Sequence, residues 1–276
     1  MTSFCLSVDV EEDLPGLLPY GTKGIEQGLP ALFDVLTDSR IHGDFFFSTP
    51  IVKEYPDTVR DAIRLGHGIG NHGMDHGLLC SKPLDQQRKE IQSSSRILMD
   101  VSGSTPLMFR APNFSVDSST LRLLDDEGYL LDSSILPGRF HRRFLRTTYD
   151  HRNASTRPFR VPANPNKHGA KGLLEVPVTP NPLRPGAPLG LGALNHYGLQ
   201  HLIKIVKTTI EEVLVFLVHP WELVDPSSFY PKLPTAYASA CSNDLRPLQE
   251  FLKEVSKSFS TTTLADYLTL KGGSPI

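Results

Sequence analysis

At 276 residues, with 39% hydrophobic and 21% charged side chains, the chain has the composition of an ordinary globular protein long enough to bury a substantial core. Its net charge of −2 gives no general affinity for nucleic acid or an anionic membrane surface, and no apolar run approaches the ~20 residues of a transmembrane segment. Cys5, Cys80 and Cys241 lie far apart, without disulfide or zinc-ribbon spacing, and no basic leader precedes the first strand, so a reducing, cytoplasmic location is expected.

Phe4 to Val10 is an apolar run that ends in Glu11-Glu12-Asp13, which predicts a buried parallel strand with carboxylates at its C-terminal end. Side chains alternate along a strand, so Asp9 and Glu11 point one way and Val8 and Val10 the other. Helical spacing follows over 29–36, then a second buried strand over 43–47. Pro56 opens a helix that Gly66 ends. A short strand around Ile69 delivers Asn71-His72-Gly73-Met74-Asp75-His76. Two histidines four apart share one face if this segment is helical, within reach of one metal ion. His67, at the other end of that strand, reads as structural.

The strongest helix prediction runs from Pro83 to Val101 and stops at Ser102-Gly103. Leu107-Met108-Phe109 is a fourth strand ending in Arg110-Ala111-Pro112-Asn113. Asp117 caps a helix to Glu127, and 129–132 make a fifth strand. Residues 138–172 then read as a long loop with seven arginines (139, 142, 143, 146, 152, 157, 160) and two lysines (167, 171) against the single acid Asp150. That excess suits an anionic substrate group such as a phosphate or pyrophosphate. A sixth strand covers 173–177, a helix spans about Tyr197 to Thr209, and a long apolar strand over 212–218 ends in His219-Pro220-Trp221-Glu222. A helix near 245–256 and a strand near 258–262 close one domain, 1–276, with no internal repeat or linker.

Strands alternating with helices imply a parallel sheet or barrel, whose ligands bind at the C-terminal strand ends. Asp9, Glu11, His72, His76, Arg110 and His219 all fall at that end. Glu11, His72 and His76 offer two nitrogens and one oxygen, a set that suits catalytic zinc or a similar divalent ion; Glu12 is the alternative to Glu11. Asp9 and His219 are then candidates for general base and general acid.

Ser7-Val8-Asp9-Val10-Glu11, Asn71-His72-Gly73-Met74-Asp75-His76, Arg110-Ala111-Pro112 and Leu217-Val218-His219 resemble motifs one, two, three and five of the polysaccharide deacetylases, carbohydrate esterase family 4 with its NodB homology domain. The resemblance implies a TIM-barrel-like α/β fold, a distorted (β/α) barrel of about seven parallel strands, and metal-dependent removal of acyl groups from sugars. By position it makes Asp9 the base, His72 and His76 metal ligands, Arg110 the group that orients Asp9, and His219 the acid. Leu217 would line the acyl pocket, and the backbone N–H of Asn113 would meet the oxyanion.

The chain departs from the pattern in three places. Val10 replaces the second motif-one aspartate, which leaves Glu11 as third ligand. Asn113 replaces the motif-three aromatic. Motif four has no clear match, so Glu175 is expected as the acid that tunes His219, and Trp221 as the missing indole. The resemblance is closest to intracellular members, including amino-arabinose deformylase-like proteins of lipopolysaccharide biosynthesis. It implies an acetyl or formyl group removed from a nucleotide- or lipid-carrier-linked amino sugar, with Zn2+ bound, or Co2+ or Ni2+. Two other readings stand beside it: a metal-independent cyclic-amide hydrolase of the allantoinase type, and a non-catalytic sugar-binding protein.

Overall fold

The computed structural model describes residues 2–143, 146–162, 172–209, 211–229 and 231–271. Its strands are β1 (Ser3–Val10), β2 (Gly43–Phe47), β3 (Gly68–Asn71), β4 (Met108–Phe109), β5 (Leu131–Asp132), β6 (Phe140–Arg143), β7 (Arg146–Asp150), β8 (Phe159–Arg160), β9 (Leu174–Glu175), β10 (Val213–Val218) and β11 (Ser260–Thr261). Seven of them run parallel in the order β10-β1-β2-β3-β4-β5-β9. β8 adds antiparallel to β9, and β11 pairs with the start of β1.

Alternation along the strands sorts the core into two layers. Phe4, Leu6, Val8 and Val10 pack outward against Leu32 and Leu36 of the helix Leu29–Ser39 and Phe251 and Val255 of the helix Arg246–Ser258. Cys5, Phe46, Met108, Val215 and Leu217 pack inward, where Leu264, Tyr267 and Leu268 of the helix Leu264–Leu270 join them. Phe45, Phe46 and Phe47 are consecutive and all buried, so β2 is covered on both faces; each ring contributes roughly 1.5–3 kcal/mol relative to exposure.

The sheet curls into a half-barrel. Between β9 and β10 the gap is bridged by irregular chain: Val215 N donates to Thr179 Oγ1 at 2.9 Å, and Leu217 N to Leu189 O at 3.1 Å. Gly190 permits this approach, because a Cβ there would sit 2.1 Å from Leu217 O.

Several elements differ from the sequence expectation. Residues 140–143 and 146–150 are not loop but the paired antiparallel strands β6 and β7. The helix expected from about Tyr197 runs over Leu199–Thr208, and an unexpected helix, Leu191–Tyr197, precedes it across Gly198, which takes φ +81°. The helix Leu264–Leu270 was not expected at all. The His72–His76 segment is not helical: Gly73 turns the chain at φ +82°, and the pair converges from an irregular loop after β3.

Candidate metal centre

The inward face of β1 carries Ser7 and then Asp9, and Glu11 follows just past the strand end. Arg110, directly after β4, is fully buried and reaches across to them. Its Nη1 donates to Asp9 Oδ1 at 2.8 Å and to Ser7 Oγ at 3.0 Å, its Nη2 to Ser133 Oγ at 2.8 Å, and its Nε to Ser133 O at 2.8 Å. The guanidinium also lies 4.3 Å from the Phe46 ring centroid. A buried cation needs this much satisfaction to be tolerated.

His72 and His76 approach Glu11 from the β3 loop. Asn71 shapes that loop: its Oδ1 accepts from Gly73 N at 2.8 Å while its Nδ2 donates to Ser94 Oγ and Tyr129 Oη at 2.9 and 2.7 Å. His72 Nδ1 faces Arg110 O at 2.8 Å, an acceptor only, so this nitrogen carries the proton. The other nitrogen, Nε2, then turns a lone pair toward Glu11 Oε2 at 3.1 Å. A lone pair facing a carboxylate calls for a proton or a cation between them. His76 Nε2 lies 2.9 Å from the same oxygen, and ligand atoms of Glu11, His72 and His76 all fall within 4.8 Å of one another. One oxygen and two imidazole nitrogens, with further positions open, fit a divalent ion.

His219, after β10, completes the cluster. Its Nε2 is 3.9 Å from Asp9 Oδ2 and 3.8 Å from Glu11 Oε1. The side chains of Asp9, Glu11 and His72 are 2–4% exposed, those of His76 and His219 18% and 17%, so the cluster opens past these two imidazoles. Burial alone would lift the Glu11 carboxyl, but His76 and His72 more than reverse this and hold it well below the usual carboxylate range. Burial likewise opposes charge on His219, yet the Glu222 hydrogen bond and charge, with Glu11 and Asp9, push it up to about 9.

Glu222 is the residue that sequence reasoning missed. Its Oε2 accepts from His219 N at 2.8 Å and lies 3.6 Å from His219 Nδ1. Only its spacing, three residues past a strand-end histidine at the start of a helical turn, signals this. Glu175 is not the acid beside His219. It sits fully buried on β9, in register with Asp132 of β5, and its Oε1 accepts from Ile135 N at 3.0 Å. Burial and Asp132 push its carboxyl well up. Its carboxyl is engaged on the β5 side instead, by Ile135 N and Asp132.

Trp221 does reach His219, with ring centroids 5.1 Å apart and nearly parallel planes. Leu217 is buried on the inner face of β10, in register with Ser7. Asn113 takes φ +56°, and its side chain meets His76. Of the basic residues, Arg139 bonds Tyr149 Oη, Arg152 pairs with Asp150, and Arg160 donates to Gly172 O. Arg142 and Arg157 are exposed, and Lys167 and Lys171 lie outside the described residues. Tyr149 Oη ties the hairpin to the centre by donating to Asn113 O at 2.6 Å.

A curled parallel α/β half-barrel, with carboxylates and imidazoles gathered at its C-terminal strand ends, defines a scaffold with a candidate divalent-metal centre. The polysaccharide deacetylase profile matches residues 19–131, which hold His72, His76 and Arg110 but neither Asp9, Glu11 nor His219. Peptidoglycan-N-acetylmuramic acid deacetylase PdaA of Bacillus subtilis (strain 168) is 32% identical over 90 residues, 32% of this chain and 34% of that one. The peptidoglycan deacetylase of Helicobacter pylori (strain ATCC 700392 / 26695) is 22% identical over 135 residues, 49% of this chain and 46% of that one. The matched stretch thus spans less than half the length of these curated relatives. Puue allantoinase superposes with a TM-score of 0.66 at 15% identity, covering 100% of this chain and 92% of that one, a likeness of fold. Over residues 19–131 the chain is similar to the polysaccharide deacetylase family. Among the described residues no helix is long and apolar enough to cross a membrane.

Proposed function

We propose that the chain hydrolyses the N-acyl group, acetyl or formyl, of an amino sugar, with a divalent metal held by Glu11, His72 and His76. The observation that carries this reading is the placement of Asp9. Its Oδ1 is taken by Arg110 at 2.8 Å, while its Oδ2 faces the candidate ligands and His219.

Zinc is the first choice of ion; when bound, it supplies a polarised acyl carbonyl and a water that is nucleophilic at neutral pH. The protein's own residues do the rest. Arg110 fixes the Asp9 carboxylate so that Oδ2 takes the proton of the attacking water. His219 gives a proton from Nε2 to the departing amine, with Glu222 holding the far side of the ring. The backbone N–H of Asn113 is offered to the developing oxyanion, an interaction typically worth about 3 kcal/mol. Leu217 and Trp221 form the apolar wall beside His219. The exposed Arg142 and Arg157 support a substrate bearing phosphate or another anionic group, such as a nucleotide- or lipid-carrier-linked precursor. The three unpaired cysteines support a reducing, cytoplasmic setting.

The test is elemental analysis of the purified protein, paired with acyl release from acetamido and formamido sugars before and after chelation. We expect near-stoichiometric metal, activity lost on chelation and restored by zinc or cobalt, and no turnover by a folded Asp9→Asn variant. Activity that ignores the chelator would instead favour a metal-independent cyclic-amide hydrolase, and neither metal nor turnover a sugar-binding protein.

A further inference from the structure

The turn that carries Asn113 is strained. After β4 the chain passes through Asn113 at φ +56° and Phe114 at φ +59°, two successive residues in the left-handed region. Asparagine tolerates that region, but a bulky phenylalanine stays there only with outside support. Phe114 N donates to Ala111 O at 3.0 Å and Ser115 N to Pro112 O at 3.1 Å. Bonds of this i→i+3 kind close equally well in a relaxed turn, so they do not supply the support.

The β6–β7 pair and the residues beside it do. Arg139 Nε, which can only donate, points at Tyr149 Oη at 3.2 Å, and this leaves the phenol proton for Asn113 O at 2.6 Å. Two residues further on, His151 Nε2 donates to Val116 O at 3.0 Å. The strained pair is therefore stitched down on both sides, and the Arg139 guanidinium lies 5.2 Å from the Phe114 ring centroid. The phenol has little freedom of its own. It is buried, with the His141 ring across the strand pair at 5.9 Å and the His151 ring at 4.9 Å.

We propose that Tyr149 is a positioning residue: through its hydroxyl, the β6–β7 pair holds the Asn113–Phe114 turn in the conformation that presents the Asn113 N–H to the oxyanion. This rests on the proposed function, in which that N–H meets the developing charge. A donor stabilises such charge fully only if it is already in place when the charge appears. Loosening the turn therefore costs the transition state more than the bound substrate, and the cost falls on kcat.

Tyr149→Phe keeps the ring and its neighbours and deletes one hydroxyl. Two measurements on the purified protein test the role: amide hydrogen exchange along residues 108–116, and kcat and KM for whichever acylated amino sugar the native chain turns over. We expect exchange at Phe114 N and Ser115 N to quicken about tenfold, while Arg110 N, bonded to Asn71 O at 3.0 Å, exchanges as before. We expect kcat to fall by roughly tenfold to a hundredfold, with KM changed by less than about twofold.

A native kcat, or a loss confined to KM, overturns the proposal and leaves the proposed function standing. So does unchanged exchange in the turn. Exchange that quickens equally at Arg110 N would mark the hydroxyl as a general stability contact and also overturns it. A native chain that releases no acyl group overturns the proposed function, and this role with it, whatever the exchange shows.

Discussion

Arg110 carries more of the site than its distance from the candidate ligands suggests. It is 0% exposed and makes four hydrogen bonds, so its charge is tolerated only because Asp9, Ser7 and Ser133 surround it. Removing it strands the Asp9 carboxylate in a site 3% exposed. Arg110→Leu should therefore lower unfolding free energy by about 3–5 kcal/mol, the usual result of leaving one member of a buried ion pair alone. Asp9→Asn keeps a side-chain oxygen for Nη1 and should cost much less. Urea denaturation of both variants checks the order; equal losses would mean that the buried guanidinium needs the charge of Asp9 and not only its oxygen. At this scale Asp9, His72, Arg110 and His219 are legible in the sequence, because residue type and strand-end position point to the same place. Glu222 is not. Its role depends on the turn over Pro220–Leu223 that brings it back to His219, and its spacing from that histidine is the one sign of it.

At the scale of elements, Asn71 joins the last residue of β3 to two neighbours, the helix Leu84–Ser102 through Ser94 and the entry to β5 through Tyr129, and it also turns Gly73. Its amide is buried and all of these bonds are buried. Asn71→Ala leaves Gly73 N without its partner while Tyr129 Oη keeps Ser95 Oγ at 2.6 Å, so a loss of about 1–2 kcal/mol is expected, read from the shift in urea midpoint. A shift under 0.5 kcal/mol would show that water replaces the amide. The long elements with clear stops are legible: Gly103 ends its helix at φ +77°, and Asp117 caps the next through Ser119 N and Thr120 N. The short ones are not. Leu191–Tyr197 and Leu264–Leu270 are seven residues each, less than the span over which a 3.6-residue period declares itself. The β6–β7 hairpin is hidden by its arginines, since charge reads as loop whatever the backbone does.

At the scale of the whole molecule, two buried groups on opposite faces of the sheet set opposing pH slopes. His67 packs on the outer layer, 4.7 Å from the Phe45 ring, with Phe33 and His42 beside it and Gly43 N donating to its Nδ1. Burial, then His42, holds it down to about 4. Between pH 6.5 and 4 the unfolded chain binds a proton that the folded chain refuses, so stability falls as pH drops through that window. Asp44 faces inward, where it accepts from Leu264 N at 2.6 Å with Arg110, Asp266 and Cys5 nearby. Burial lifts its carboxyl to about 7 from 3.8. Here the folded chain keeps a proton that the unfolded chain has released, so stability falls as pH rises from about 4 to 7. Each contribution is at most roughly 3–4 kcal/mol, and over pH 4 to 6.5 the two offset each other. His67→Leu should thus gain on the native chain as pH drops below 6.5. Asp44→Asn, which keeps an acceptor for Leu264 N, should gain as pH rises toward 8. Subtracting native from variant unfolding free energies across pH 4–8 isolates each slope from every other titrating group. Two difference curves of opposite sign are expected; a flat curve for either variant would show that its group titrates in the fold as it does in the unfolded chain.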